Sequence, residues 1–235
     1  DLIVFFAEGL TFRSSNKNDA EELREVLKYT ARLQTKAKLL YLSPLDSSFE
    51  EKTDRAIISS SNEKLCEFYA QKYSLDIKTL QIPYLYSGVL AKDFLNKIFE
   101  QLYAKETATI PESPMSRMHF ISLGDLSELI VRIADTWKGG GVLSVGDEFG
   151  LTFKDLADAL TEMIVDLESV EGEEEEDREK RKEEVKIAFT HAHCSGIFRN
   201  VNAALRNEYG WYAKVSIIKD LKDQYERFLS TKVHR

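Results

Sequence analysis

The stretch from Ala56 to Gly88, AIISSSNEKLCEFYAQKYSLDIKTLQIPYLYSG, constrains the fold more than any other part of the chain. Leu65, Phe68, Tyr69 and Tyr73 recur at three- and four-residue spacing, which predicts a helix of about four turns with one apolar face. Asp76 then opens a run holding Ile77, Leu80 and Ile82, and Pro83 ends it. Its apolar side chains fall on both faces, as in a strand covered on both sides. A helix that enters a covered strand through two or three residues is half of a βαβ unit. The rest of the chain should therefore alternate strands and helices.

The chain supplies that alternation. Leu2 to Ala7 is a continuous apolar run ended by Glu8-Gly9, a strand and its turn. Asn18 or Asp19 can cap a helix from Ala20 to Leu33, with Leu23, Val26, Leu27 and Thr30 on one face. Lys38 to Leu42 is a second strand, and the polar loop 43–48 follows its C-terminal end, where open parallel sheets build their sites. Ala91 to Tyr103 is an amphipathic helix, Met118 to Leu123 a short apolar segment, and Asp125 caps a helix to Trp137. Gly139 to Gly141 lead into a strand from Val142 to Val145 rather than out of a strand into a helix. They read as a flexible turn and not as a phosphate loop. Thr152 to Asp155 form a helix start that runs to about Leu167. Residues 171–184, EGEEEEDREKRKEE, put acid before base, the pattern of a solvated helix or mobile insert, or of a docking site for a basic partner. Lys186 to Thr190 can make a strand, Val201 to Tyr209 a helix stopped by Gly210 with Trp211 set for an apolar contact, and Ile217 to Leu229 a last helix.

With 235 residues, 43% of them apolar, the chain can bury one domain with a fused subdomain. A formal charge of -8 and the lack of a basic patch with interleaved aromatics argue against a nucleic-acid partner. Cys66 and Cys194 are far apart, which suits a reducing compartment without disulfides and makes Cys66 a core residue. No run reaches the roughly 18 apolar residues of a membrane span, and no secretion signal opens the chain. A cytoplasmic protein without a membrane partner is the expectation. The chain opens on a strand with no initiator methionine, so sequence upstream of Asp1 is expected. His191, His193 and Cys194 are zinc-type ligands without a third and fourth partner in the sequence, so no metal is expected. No G-x-S-x-G elbow supports a hydrolase built on Ser43.

Read as whole segments in order, the chain resembles the extended short-chain dehydrogenase/reductase family, the NAD-dependent epimerase/dehydratase group acting on nucleotide sugars. DLIVFFAEG is similar to that family's fourth strand, KLLYLSP to its fifth, and SSSNEKLCEFYAQKYSLDIKTLQIPYLYSG to its active-site helix and sixth strand. RMHFISLGDL, GGGVLSVGDEFGLTFKDLADAL and NVNAALRNEYGWYAKVSIIKDLKDQYERFL resemble its later segments. The resemblance implies an α/β fold with a partial Rossmann-like, doubly wound parallel sheet at 1–83 and 117–147. A smaller C-terminal α/β subdomain would comprise 84–116 and 148–235, with the acidic insert 171–184.

The family's chemistry uses a tyrosine four residues before a lysine on the central helix, and a Ser or Thr at the end of the preceding strand. By the resemblance Lys64 takes the lysine's place, and Ser60 stands where the tyrosine would. A serine hydroxyl is shorter and far less acidic than a phenol, so it cannot hold the proton in the same way. Ser43 is the candidate strand-end hydroxyl, with Pro44 at the motif's usual end. Lys64 and Ser43 are thus the implied contacts to NAD or NADP. Tyr84, at a frequent Asn, and Arg117, one position out of register for a phosphate-contacting Arg, are the implied contacts to a nucleotide-sugar ligand; Gln81 replaces a frequent Arg. The family's glycine-rich turn and ribose-binding acid would lie upstream of Asp1. Two readings follow. One is a degenerate, non-catalytic relative, a pseudoenzyme that binds a ligand or protein partner in glycan assembly. The other is an active NAD-dependent epimerase or dehydratase whose N-terminal half lies outside this sequence. The family's dimers imply a homodimer surface on the helices at 20–33 and 60–73.

Overall fold

A computed structural model describes residues 1–6, 19–33, 37–45, 54–87, 94–146, 150–169, 174–190 and 203–233. The chain begins β1 (Leu2–Phe6), α1 (Asp19–Leu33), β2 (Lys38–Pro44), α2 (Asp54–Tyr73) and β3 (Asp76–Ile82). Next come β4 (Tyr84–Tyr86), α3 (Phe94–Tyr103), β5 (Ala108–Ile110), β6 (Arg117–Met118), β7 (Phe120–Ser122) and α4 (Leu123–Asp135). The remainder is β8 (Gly141–Ser144), β9 (Leu151–Thr152), α5 (Phe153–Glu168), α6 (Glu175–Glu184), β10 (Ile187–Phe189), α7 (Ala203–Tyr209) and α8 (Ile217–Val233).

Strands β1, β2, β3 and β8 form one parallel sheet in that order, with Leu42 opposite Leu80 and Leu80 opposite Leu143. Alternate residues of each strand serve opposite faces. Leu39, Tyr41 and Ile77 pack with Leu23 and Leu27 of α1 and Cys66 and Tyr69 of α2. Leu40, Leu42, Leu80 and Ile82 meet Leu126, Leu129 and Ile133 of α4. Burial on both faces is why these strands read as continuous apolar runs, and the doubly wound expectation holds.

A second core joins α3, α5 and α8 around Phe99, Phe120, Phe153, Leu160, Tyr225 and Phe228. It carries three two-stranded pairings: β4 with β7 and β5 with β10, both parallel, and β6 with β9, antiparallel. Residues 203–211 do not join this second core. Leu205, Tyr209 and Trp211 pack with the large sheet.

Local signals place most element ends. Thr152 and Asp155 form a capping box at α5, with the Asp155 N–H donating to Thr152 Oγ1 at 3.0 Å and the Thr152 N–H donating to Asp155 Oδ2 at 3.2 Å. Gly210, at φ +60°, stops α7 and donates to the Arg206 carbonyl at 3.0 Å, with Trp211 buried behind it. The cap expected at Asp125 belongs to Ser122, whose Oγ accepts the Asp125 N–H at 3.0 Å. Asp125 instead accepts the N–H groups of Lys214 and Val215 at 3.3 and 3.2 Å and ties the C-terminal segment to α4.

Two further expectations are corrected. The face of α2 toward the sheet is Ser59, Asn62, Cys66 and Tyr69, whereas Phe68 and Tyr73 are 51% and 45% exposed. Small and polar residues on the packed side blurred the apolar period. The glycine turn before β8 is held rather than loose at Gly140, where an added Cβ would stand 2.4 Å from the Ile77 carbonyl oxygen. Among the described residues, no helix is long and apolar enough to cross a membrane.

Candidate functional site

The C-terminal ends of β2, β3 and β8 lie side by side, with Ser43 opposite Gln81 and Gln81 opposite Ser144. All three residues share the parity of Tyr41 and Ile77 and so belong to the face covered by α2. Glu63 of α2 closes over them. Ser43 Oγ donates to Glu63 Oε1 at 2.7 Å and Gln81 Nε2 donates to Glu63 Oε2 at 3.0 Å. Ser144 Oγ donates to Gln81 Oε1 at 2.5 Å. One carboxylate and one amide thus span three strand ends. Both Glu63 oxygens are held by neutral donors, and among the described residues no lysine or arginine forms an ion pair with it.

A phenol beside these groups is Tyr41, fully buried on β2. Burial pushes its hydroxyl up to about 12, while Asn62 and Ser43 beside it pull the other way without completing a hydrogen bond of good geometry. Burial likewise pushes the Cys66 thiol up to about 12, with the Glu63 charge adding to it. Neither group is a base or nucleophile near neutral pH.

The residues singled out in the sequence are distributed unevenly around this cluster. Ser60 and Lys64 are one helical turn apart on the exposed side of α2. Glu63, one position earlier than Lys64 and so about 100° around the helix, faces the strand ends instead. Ser43 is fully buried, and its donor is engaged by Glu63. Tyr84 is half-buried at the second core, its ring stacked on Phe120 at 5.7 Å and edge-on to Phe153 at 6.2 Å. Arg117 is exposed on β6 opposite Thr152. There Asp155 is held below the usual carboxylate range, first by the Thr152 hydroxyl and also by the Arg117 charge. Ser43 is therefore brought to Glu63 and not to Ser60 or Lys64, while Tyr84 and Arg117 both lie at the start of α5.

Glu63 and Ser144 carried no signal in the sequence. Gln81 stood out there only as a replacement for arginine, and its link to Glu63 joins a helix to a strand. His191, His193, Cys194 and the loop positions 46–48 lie outside the described residues. Among the described residues no group of three His, Cys, Asp or Glu could hold a metal ion.

Sequence comparison matches no protein-family profile and no curated protein. Solved structures do match. A variant of the UDP-glucuronic acid 4-epimerase from Bacillus cereus, bound to UDP-4-deoxy-4-fluoro-glucuronic acid and NAD, superposes with a TM-score of 0.72 at 15% identity, over 97% of this chain and 76% of that one. The dTDP-glucose 4,6-dehydratase of Bacillus anthracis, in complex with NAD, gives 0.68 at 15% identity, over 99% and 73%. This chain has the fold of the NAD-dependent nucleotide-sugar epimerases and dehydratases. The UDP-glucose 4-epimerase of Thermotoga maritima, with UDP-glucose, agrees at 0.67 and 15% identity, over 97% and 78%.

Within this fold, the described strand ends place Ser43 beneath Glu63 and leave Lys64 exposed on α2. Lys64 lies about 100° around α2 from Glu63, whose carboxylate accepts the Ser43 hydroxyl. A carboxylate, rather than a cation, occupies the middle of the cluster.

Proposed function

We propose that this chain is a non-catalytic relative of the nucleotide-sugar epimerases and dehydratases, a scaffold that binds a ligand or a protein partner in glycan assembly. The observation that carries this reading is Glu63. At the strand ends this chain has an acid whose two oxygens already accept from Ser43 and Gln81. Proton transfer coupled to hydride movement needs a phenol whose pKa is lowered toward neutrality by a nearby cation. Tyr41 is driven the opposite way by burial, and Ser60, at the position of the family's tyrosine, is a serine exposed on α2.

A second reading draws on the NAD bound in the neighbouring structures. In it the chain is an active epimerase or dehydratase whose N-terminal half lies outside this sequence, whose catalytic base comes from elsewhere, and which keeps Lys64 as a cofactor contact. Titration of NADH into the natural full-length protein, followed by nicotinamide fluorescence, separates the two, with UDP-glucose and UDP-glucuronic acid turnover assayed alongside. The scaffold reading expects no turnover and no change in ligand binding for Lys64→Ala. Sugar-nucleotide turnover, or a large loss of NADH affinity in Lys64→Ala, overturns it.

A further inference from the structure

At the opposite end of the large sheet three lysines gather around two aromatic rings. Lys38 opens β2, Lys78 stands on β3 with the parity of Leu80 and so faces the α4 side, and Lys138 lies in the turn before β8. The ammonium nitrogens of Lys38 and Lys78 are 5.5 and 5.7 Å from the ring centre of Trp137. Those of Lys78 and Lys138 are 5.4 and 5.8 Å from the ring centre of Tyr209.

Lys78 is 1% exposed, and lysine is almost never so deeply buried unless it is paired. Among the described residues, however, no carboxylate forms an ion pair with any of the three. Asp76, opposite Lys38, accepts instead from Trp137 Nε1 at 2.7 Å. Asp76 is the carboxylate that the strand register sets opposite Lys38, and among the described residues no ion pair ties the other two ammonium groups beside the rings. Cation–π attraction offsets part of their repulsion but supplies no acceptor for the N–H donors.

Two further observations bear on this place. The hydroxyl of Tyr209 is buried without a hydrogen-bond partner, in a residue only 7% exposed, and a buried hydroxyl is costly in that state. Beside Lys138, a Cβ added at Gly139 or Gly141 would meet nothing within 4 Å, so the turn leaves room. The turn offers no helix N-terminus, and the lysines supply the charge that a phosphate loop would draw from one.

We propose that Lys38, Lys78 and Lys138 form a binding site for a phosphate dianion, taken either as free phosphate or as the head of a phosphate monoester. Its negative charge complements the ammonium groups, and its oxygens accept from donors that the rings cannot satisfy. The site lies at the N-terminal ends of the strands, away from Glu63, and stands or falls separately from the function proposed above.

The test is calorimetric titration of the full chain with inorganic phosphate and with glycerol 3-phosphate, at constant ionic strength set with chloride, together with thermal unfolding. Saturable binding to one site is expected, with a raised unfolding midpoint that chloride alone does not give. Lys38→Gln and Lys138→Gln should each weaken binding about tenfold, the loss expected for one charge-assisted hydrogen bond. Both positions are at least partly exposed, and circular dichroism checks that the variants fold. Tighter glycerol 3-phosphate assigns an esterified ligand, and equal or tighter inorganic phosphate assigns the free ion. No saturable heat with either probe, or unchanged affinity in both variants, overturns the site.

Discussion

Glu63 on α2 accepts the Ser43 hydroxyl of β2 at 2.7 Å, while its second oxygen accepts the Gln81 amide of β3 at 3.0 Å. One carboxylate therefore fastens a helix to two neighbouring strands. Glu63→Ala leaves the fully buried Ser43 hydroxyl and the half-buried Gln81 amide without that acceptor and should cost about 2 kcal/mol, the scale of an unsatisfied polar group. Lys64→Ala, one residue along on the exposed side, should stay within about 0.5 kcal/mol of the parent. Urea midpoints compare the two, and equal costs would mean that the carboxylate does not tie α2 to the strand ends.

Gly140 packs its backbone against β3, leaving no room for a side chain beside the Ile77 carbonyl. Gly140→Ala must push β8 away from β3 and should destabilise by about 1–3 kcal/mol, as overpacking does. A thermal midpoint unchanged from the parent would contradict the close approach.

The capping box at α5 predicts a smaller effect. Thr152→Ala removes the acceptor for the Asp155 N–H and the hydroxyl that holds Asp155 below its usual range. The expected loss is about 1 kcal/mol. Asp155 also contributes stability that is present above its unfolded pKa and lost as pH falls through the lower folded one. Acid unfolding of Thr152→Ala should accordingly show a weaker dependence on pH below about 4, near the ordinary carboxylate value.

Alkali should weaken the fold for a different reason. Cys66 and Tyr41 both hold their protons more tightly folded than unfolded, at about 12 against ordinary values of 9.0 and 10.0. Between these limits the unfolded chain binds fewer protons, so stability is intact below pH 9 and is lost as pH rises through the folded values. Midpoints measured from pH 8 to 11 should fall, and Cys66→Ala should flatten the first part of that fall. An identical slope in the variant would remove the thiol from the account.

Helix α6 buries no residue, and charge links it to α5. Arg178 donates to Glu162 and Asp166 at 2.8 and 2.7 Å, and Lys182 reaches Glu162 at 2.9 Å. Exposed ion pairs contribute little to global stability, so Arg178→Ala should cost less than about 1 kcal/mol. Its effect should be local: faster amide exchange in α6 with α5 unchanged. Equal acceleration in both helices would refute a separate, weakly attached α6.

The fold was largely legible because its signals are local. Covered strands announce themselves as unbroken apolar runs, and the positions of Thr152 and Gly210 mark a helix start and a helix stop whatever surrounds them. The α2 stripe was misread because the side that meets the sheet includes Ser59, Asn62 and Cys66, which carry little hydrophobic contrast. Asp125 looked like a cap, but its carboxylate serves a segment almost ninety residues away, as the separation of 89 to Lys214 records. The site was less legible, since Glu63 meets Ser43 and Gln81 across sequence separations of 20 and 18, which no local pattern marks.

By itself the sequence determined the strand–helix alternation, the doubly covered sheet and several helix ends, since period, run length and capping act within a few residues. Only the tertiary structure decided which side of α2 meets the strand ends, that Ser43, Glu63, Gln81 and Ser144 form one hydrogen-bonded group, and that three lysines surround Trp137 and Tyr209. Those outcomes depend on strand register and on the rotation of a helix about its axis. A single residue's change in either brings a different side chain to the site.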